Sequence, residues 1–107
     1  MKPISLLPKG LVEKINGNND LQLVDVREAS EWRICNIAGF IHIPLADIPT
    51  RMVELNKELP VVVICHHGVR SDYAGRELLR QGFKEVYNLV GGIDKWAREV
   101  DTSLELY

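Results

Sequence analysis

The chain has 107 residues, 46% of them apolar and 26% charged, with a formal net charge of −2. That is enough chain to bury a core without metal or disulfide staples, and residues 1–107 are expected to form one domain. No basic stripe fits a nucleic-acid partner, no acidic tail fits a basic one, and apolar runs of about five residues are too short to span a membrane.

Met1-Lys-Pro-Ile4 lacks the apolar stretch of an export signal, so a cytoplasmic location is expected, with Cys35 and Cys65 reduced. Residues 4–7 read as an edge strand. Residues 8–15 read as a short helix with Pro8 in its first turn and Leu11, Val12 and Ile15 on one face. Residues 16–20 are a turn cluster, and 21–26 form a strand with both faces covered. One or two helical turns follow over 29–33, then a turn at Gly39, a short strand and a stop at Pro44. Residues 45–55 hold one or two short helices interrupted around Pro49. Val61–Ile64 is a buried strand, 71–81 a helix closed by Gly82, and 84–89 the last strand. Val90-Gly-Gly opens a final helix, and the tail from Asp101 shows no clear periodicity.

Strands alternating with helices predict an α/β fold with a mostly parallel sheet, covered on both faces. In such folds the functional crevice lies beyond the C-terminal ends of the strands. Asp25, Cys65 and Gly91-Gly92 all follow strands, so they are expected to meet there. Cys65 also precedes a helix N-terminus, whose unpaired N–H groups and partial positive charge favour an ionised thiol.

Four residues, His66, His67, Gly68 and Val69, separate Cys65 from Arg70. Their backbone N–H groups are expected to curl round the sulfur, with Gly68 at a positive φ and Arg70 adding charge. A phosphatase-type loop is one residue longer, so this cradle suits one sulfur atom rather than a phosphate. Ser71 is read as a cap or first-turn residue, and Asp72 as a solvated charge at the helix end. Asp25 and Arg27 are expected to form a buried ion pair or hydrogen-bond anchor that holds the loop. His66 and His67 are read as exposed loop residues, with a general-acid role as the alternative, and His42 as structural. Trp32 and Trp96 are read as packing residues, Trp96 alternatively as a pocket wall. Cys35 is read as a half-buried small hydrophobe or, alternatively, a resolving thiol. Cys35, His42, Cys65 and a loop histidine match no compact metal-ligand spacing.

Taken together, Asp25-Val-Arg-Glu28 with Glu31-Trp32, Ile37-Ala-Gly39 before Ile41 and Pro44, Cys65-His-His-Gly-Val-Arg70, and Gly91-Gly-Ile-Asp-Lys-Trp96 resemble the rhodanese-like domain family. The residues from Asp101 to Tyr107 are similar to the tail of its small single-domain bacterial members. The resemblance implies a three-layer α/β/α fold around a five-stranded, mainly parallel sheet. It also implies a sulfurtransferase of the rhodanese (thiosulfate) type, working through a persulfide on Cys65. Its partners would be a sulfane-sulfur donor and a thiol or cyanide acceptor, with a protein donor or acceptor as a further option, and no metal or organic cofactor is called for. Asn36 and Phe40 depart from the family pattern, and His66 stands where thiosulfate-specialised members carry a basic residue. The alternatives are a persulfide carrier or redox binding module serving a partner protein and, further off, a cysteine-dependent phosphatase.

Overall fold

Four consecutive apolar residues, all fully buried, form strand β4 (Val61–Ile64) at the centre of the sheet. A computed structural model describes residues 1–17 and 20–107 of the chain. Strands β2 (Gln22–Asp25) and β5 (Val86–Leu89) flank β4, with β1 (Ile4–Leu6) outside β5 and β3 (Ile41–His42) outside β2. All five strands are parallel in the order β1-β5-β4-β2-β3. A central parallel strand needs apolar side chains on both faces, because connecting helices cover both. Val61 and Val63 enter one core with Ala74 and Leu78 of α4 (Val69–Arg80) and Ile48 of α3 (Ile48–Arg51). Val62 and Ile64 enter the other with Leu11 of α1 (Pro8–Gly17) and Ile93 and Trp96 of α5 (Gly92–Glu99). Each buried Val, Leu or Ile side chain among these contributes about 1.5–3 kcal/mol.

The three-layer arrangement and its five-stranded parallel sheet agree with expectation. Several boundaries differ, each for a local reason. Helix α4 begins at Val69 rather than residue 71, because Gly68 adopts φ +112° and starts the helix itself. Helix α1 runs on through Asn16 and Gly17, where a turn was expected. The rest of that turn includes residues 18 and 19, which lie outside the described residues. Pro49 falls in the first turn of α3, where its missing N–H has no intrahelical partner to lose. The helical stretch is divided just before it, between Asp47 and Ile48, beside the expected interruption. Strand β5 starts at Val86, two residues later than expected.

The end of α4 follows the expected pattern. Gly82 takes φ +98°, the Phe83 N–H donates to the Leu78 carbonyl at 3.1 Å and the Gly82 N–H to Leu79 at 3.1 Å. Phe83 and Leu78 share the same core, which completes a Schellman motif with its apolar contact. Helix α2 (Ala29–Ile34) opens with the Glu28 N–H donating to Glu31 Oε1 at 2.9 Å. Among the described residues no helix is long and apolar enough to cross a membrane.

Adjacent strands β2, β4 and β5 end on the same edge, with Asp25 opposite Ile64 and Val63 opposite Asn88. Asp25, Cys65 and Gly91-Gly92 therefore converge, as expected.

Helix α4 meets this sheet closely at Gly75, where a Cβ would lie 2.4 Å from Pro3 Cγ and 3.3 Å from Val86 Cγ1. Overpacking of this kind costs about 1–3 kcal/mol. That exceeds the roughly 1 kcal/mol that alanine gains over glycine in a helix. Gly75→Ala is therefore expected to lower the urea midpoint and to speed amide exchange in β1, which follows Pro3. A raised midpoint would mean that the N-terminal segment yields freely.

Candidate active site

Cys65 follows β4 directly and is 1% exposed. The Gly68 N–H donates to its Sγ at 3.0 Å, and Ser71 Oγ lies 3.3 Å from the same sulfur. The left-handed φ of Gly68 turns that amide back on the cysteine, a conformation other residues adopt only with strain. Ser71 is a buried first-turn residue, not a cap, and its hydroxyl donates to Asn88 Oδ1 at 2.5 Å. Its one proton is thus committed, so in the thiol form Cys65 S–H is the donor to Ser71 Oγ. Asn88 Nδ2 in turn donates to the Gly68 carbonyl at 3.0 Å. Asn88 was not singled out from sequence, although it is the polar residue in an otherwise apolar strand. It ties the middle of the loop and the first turn of α4 to β5.

Val69 points outward, 81% exposed, and adds its backbone rather than its side chain to the loop. Arg70 lies near enough for its charge to act on the sulfur, as expected, but its guanidinium is also paired with a carboxylate. Its Nη1 and Nη2 donate to Glu31 Oε1 and Oε2 at 2.6 and 2.9 Å. This paired geometry raises the Arg70 pKa, chiefly through the Glu31 hydrogen bonds, with burial opposing and the Cys65 charge adding a lesser through-space effect. Glu31, whose sequence surroundings announce no role, is the hub of this contact. Both its oxygens accept twice, from Arg70, from the Glu28 N–H and from the Tyr107 hydroxyl at 2.8 Å. The Arg70 bonds bring its carboxyl down to about 2, against the opposing effect of burial.

Beneath this pair, Asp25 and Arg27 are fully buried and joined by bonds of 2.8–3.0 Å from Arg27 Nε and Nη2. Arg27 also donates to the Cys35 carbonyl at 2.6 Å, the Glu31 carbonyl at 3.3 Å and the Tyr107 hydroxyl at 3.0 Å. Burial alone would lower its pKa; the bonds to Asp25 and Tyr107 more than reverse this and keep it charged. The anchor reading of this pair fits its geometry. His42 Nε2–H donates to the Arg27 carbonyl at 2.6 Å and its ring stacks on Trp32, so both act structurally as expected. Cys35 is 7% exposed, nearer the small-hydrophobe reading.

The tail supplies what periodicity did not announce. The Tyr107 ring stacks on His66 at 3.8 Å between centroids, with the planes 7° apart, and the His67 ring tilts against His66 at 3.9 Å. Burial raises the Tyr107 hydroxyl to about 12, with Arg27 opposing. His66 is consequently half-buried, not exposed; desolvation lowers its pKa and the His67 charge adds to this. His67 is exposed, as expected.

Helix α5 closes the floor. Gly91 and Gly92 take φ of +77° and +61°, and the Ile93 N–H donates to the Cys65 carbonyl at 2.9 Å. A Cβ on Gly92 would lie 2.3 Å from the His66 oxygen, so only glycine permits this approach. Trp96 is not a wall of the loop; it is 6% exposed in the core beneath α1 and α5.

The rhodanese-like domain family model matches residues 7–99. Over 84 residues the chain is 37% identical to the thiosulfate sulfurtransferase GlpE of Coxiella burnetii, covering 78% of each. It is 38% identical over 89 residues to YrkF of Bacillus subtilis, whose name proposes a sulfur carrier; this is 83% of the chain and 48% of YrkF. The chain thus spans about half the length of that relative. A crystal structure of a rhodanese-like domain protein from Staphylococcus aureus superposes with a TM-score of 0.83 at 29% identity, over 97% of this chain and 98% of that one.

Two stability predictions follow from the buried network. Arg27→Met would leave the Asp25 carboxylate buried and unpaired, at a cost of about 3–5 kcal/mol, read from urea unfolding at neutral pH. Glu31 has a folded pKa below its ordinary 4.5, so its contribution is fully present above about pH 4.5 and is lost as pH falls toward 2. Partial exposure of Arg70 reduces that contribution by screening, to roughly 2 kcal/mol. Glu31→Gln is expected to flatten the acid limb of stability over that window; an unchanged limb would show that the pair adds nothing to folding.

Proposed function

The chain belongs to the rhodanese-like domain family, and from that premise we propose that it is a sulfurtransferase carrying a sulfane sulfur as a persulfide on Cys65. The observation that carries the reading is the bond from the Gly68 N–H to Cys65 Sγ at the start of α4. A donor amide fixed by the backbone needs no reorganisation when negative charge develops on sulfur. The positive end of a twelve-residue helix acts in the same direction.

The cycle is a double displacement. The Cys65 thiolate attacks the outer sulfur of the donor. A new S–S bond forms, the donor's bond to that sulfur breaks, and the electron pair leaves with the remainder: sulfite from thiosulfate, or a thiolate from a persulfide. An acceptor thiolate or cyanide then attacks the terminal sulfur and releases Cys65 as thiolate. Gly68, Ser71 and the loop backbone hold the charged sulfur, while Asp25, Arg27, Gly91 and Gly92 hold the loop. The carrier step uses no group beyond these side chains and amides.

A second reading, a carrier loaded by a protein donor, is favoured by one feature. Cys65 is almost fully buried and the Arg70 guanidinium is occupied by Glu31, so a small anionic donor meets no free cation at the loop. Loading from a protein persulfide much faster than from thiosulfate would select it. A cytoplasmic setting, where thiols stay reduced, suits either reading.

Intact mass spectrometry after incubation with thiosulfate is expected to show one added sulfur atom, removed by cyanide. Cys65→Ser should show neither the adduct nor transfer; transfer at the parental rate would refute the mechanism. Gly68→Ala, forced to φ +112°, is expected to lower the transfer rate roughly 10–100-fold through about 1–3 kcal/mol of strain at the donor amide.

A further inference from the structure

The geometry points to a second site beside the loop: His66, His67 and Asp94 together bind a divalent first-row transition cation of the zinc class. One ligand atom from each of the three lies within 4.8 Å of the others. Around a tetrahedral ion with ligands at about 2.0–2.1 Å, donors stand roughly 3.4 Å apart. His67 is exposed, so closing that distance requires a rotation of its side chain off the His66 ring but no repacking of the core.

The cluster is built by the backbone rather than by chance surface rotamers. The Asp94 N–H donates to the His66 carbonyl at 3.2 Å, one residue after the Ile93 bond to Cys65. These bonds set the first turn of α5 against the two histidines. The ring of His66 is also prepared. Its Nε2 is buried and has no hydrogen-bond partner among the described residues, so its capacity to donate or to ligate is unspent. On the third ligand, Arg98 Nε donates to Asp94 Oδ2 at 3.0 Å, which orients the carboxylate and leaves Oδ1 available. The Arg98 charge opposes a cation, but that side chain is 60% exposed and largely screened.

Two imidazoles and one carboxylate define the ion. Calcium and magnesium take oxygen ligands, so this donor set disfavours them. Zinc, cobalt and nickel accept such a set, and three protein ligands leave a position open to water. Cys65 Sγ is directed elsewhere, to Gly68 and Ser71. The site shares only a loop histidine with the spacing-based set of Cys35, His42, Cys65 and a loop histidine, and Asp94 reaches it only through the fold. Occupation would clamp α5 to the two residues that follow Cys65.

The test is titration of the reduced 107-residue chain with Co²⁺, followed by visible absorption, and with Zn²⁺ alone, followed by calorimetry. One ion per chain is expected, with ligand-field bands and no thiolate-to-cobalt charge-transfer band. His67→Ala and Asp94→Asn should each weaken binding by about tenfold or more. Asp72→Asn removes the matching first-turn pair with Arg76 on α4 and should leave affinity unchanged. Absence of saturable binding, equal affinity in His67→Ala, or a charge-transfer band assigning the ion to a cysteine would each overturn the site. None of these readouts depends on sulfur transfer, so this inference and the catalytic reading fail separately.

Discussion

The buried guanidinium of Arg27 is the constraint on which the functional edge depends. Two opposite charges removed from water are tolerable only when nearly every donor and acceptor is satisfied. Arg27 meets that demand by recruiting partners from four places: Asp25 at the end of β2, the Glu31 and Cys35 carbonyls at either end of α2, and the Tyr107 hydroxyl in the tail. Its own carbonyl holds His42 at the end of β3. Desolvation thus forces the C-terminal residues and α2 to assemble over the same spot. From there Tyr107 reaches Glu31, and Glu31 reaches Arg70. The position of Arg70 over the loop is set by a chain of contacts whose first member never touches the sulfur.

A second constraint acts from the other side through backbone alone. Gly92 allows α5 to approach the carbonyls of Cys65 and His66 within the space a side chain would fill. Those carbonyls then accept N–H groups from the first turn of α5. Strand β4, helix α5 and, through Asn88, strand β5 consequently hold the loop from three directions. A short loop gripped in this way has few alternative conformations, which is what a preorganised anion cradle requires.

The legible part of the architecture was the part written in local pattern. Val61–Ile64 read as a buried strand because period and composition agree, and Gly82 as a helix end because only a left-handed residue closes a Schellman motif. Cys65, Gly68 and Arg70 read as a loop because their spacing is short. Glu31, Asn88 and Tyr107 did not, and the reason is physical. Glu31 meets Arg70 across 39 residues, Asn88 meets Ser71 across 17, and Tyr107 meets Arg27 across 80. No periodicity encodes such a pairing; sheet order creates it. The pairing of Arg70 escaped because the carboxylate that claims it comes from another element. The half-burial of His66 escaped for the same reason, since the ring that covers it arrives from the tail.

Ser71 gives the loop a property that a list of its contacts does not convey. Its hydroxyl has one proton and two neighbours able to take it, Asn88 Oδ1 at 2.5 Å and, once ionised, Cys65 Sγ at 3.3 Å. With a protonated thiol the chain of donors runs outward from sulfur to amide. With an anionic sulfur the hydroxyl gains by rotating inward, because a bond to a charged acceptor is about twice as strong as a neutral one. Asn88 then has an unclaimed oxygen while its amide still grips the Gly68 carbonyl. The loop therefore has two hydrogen-bond polarities on one set of atoms, and the charge of a single sulfur atom chooses between them.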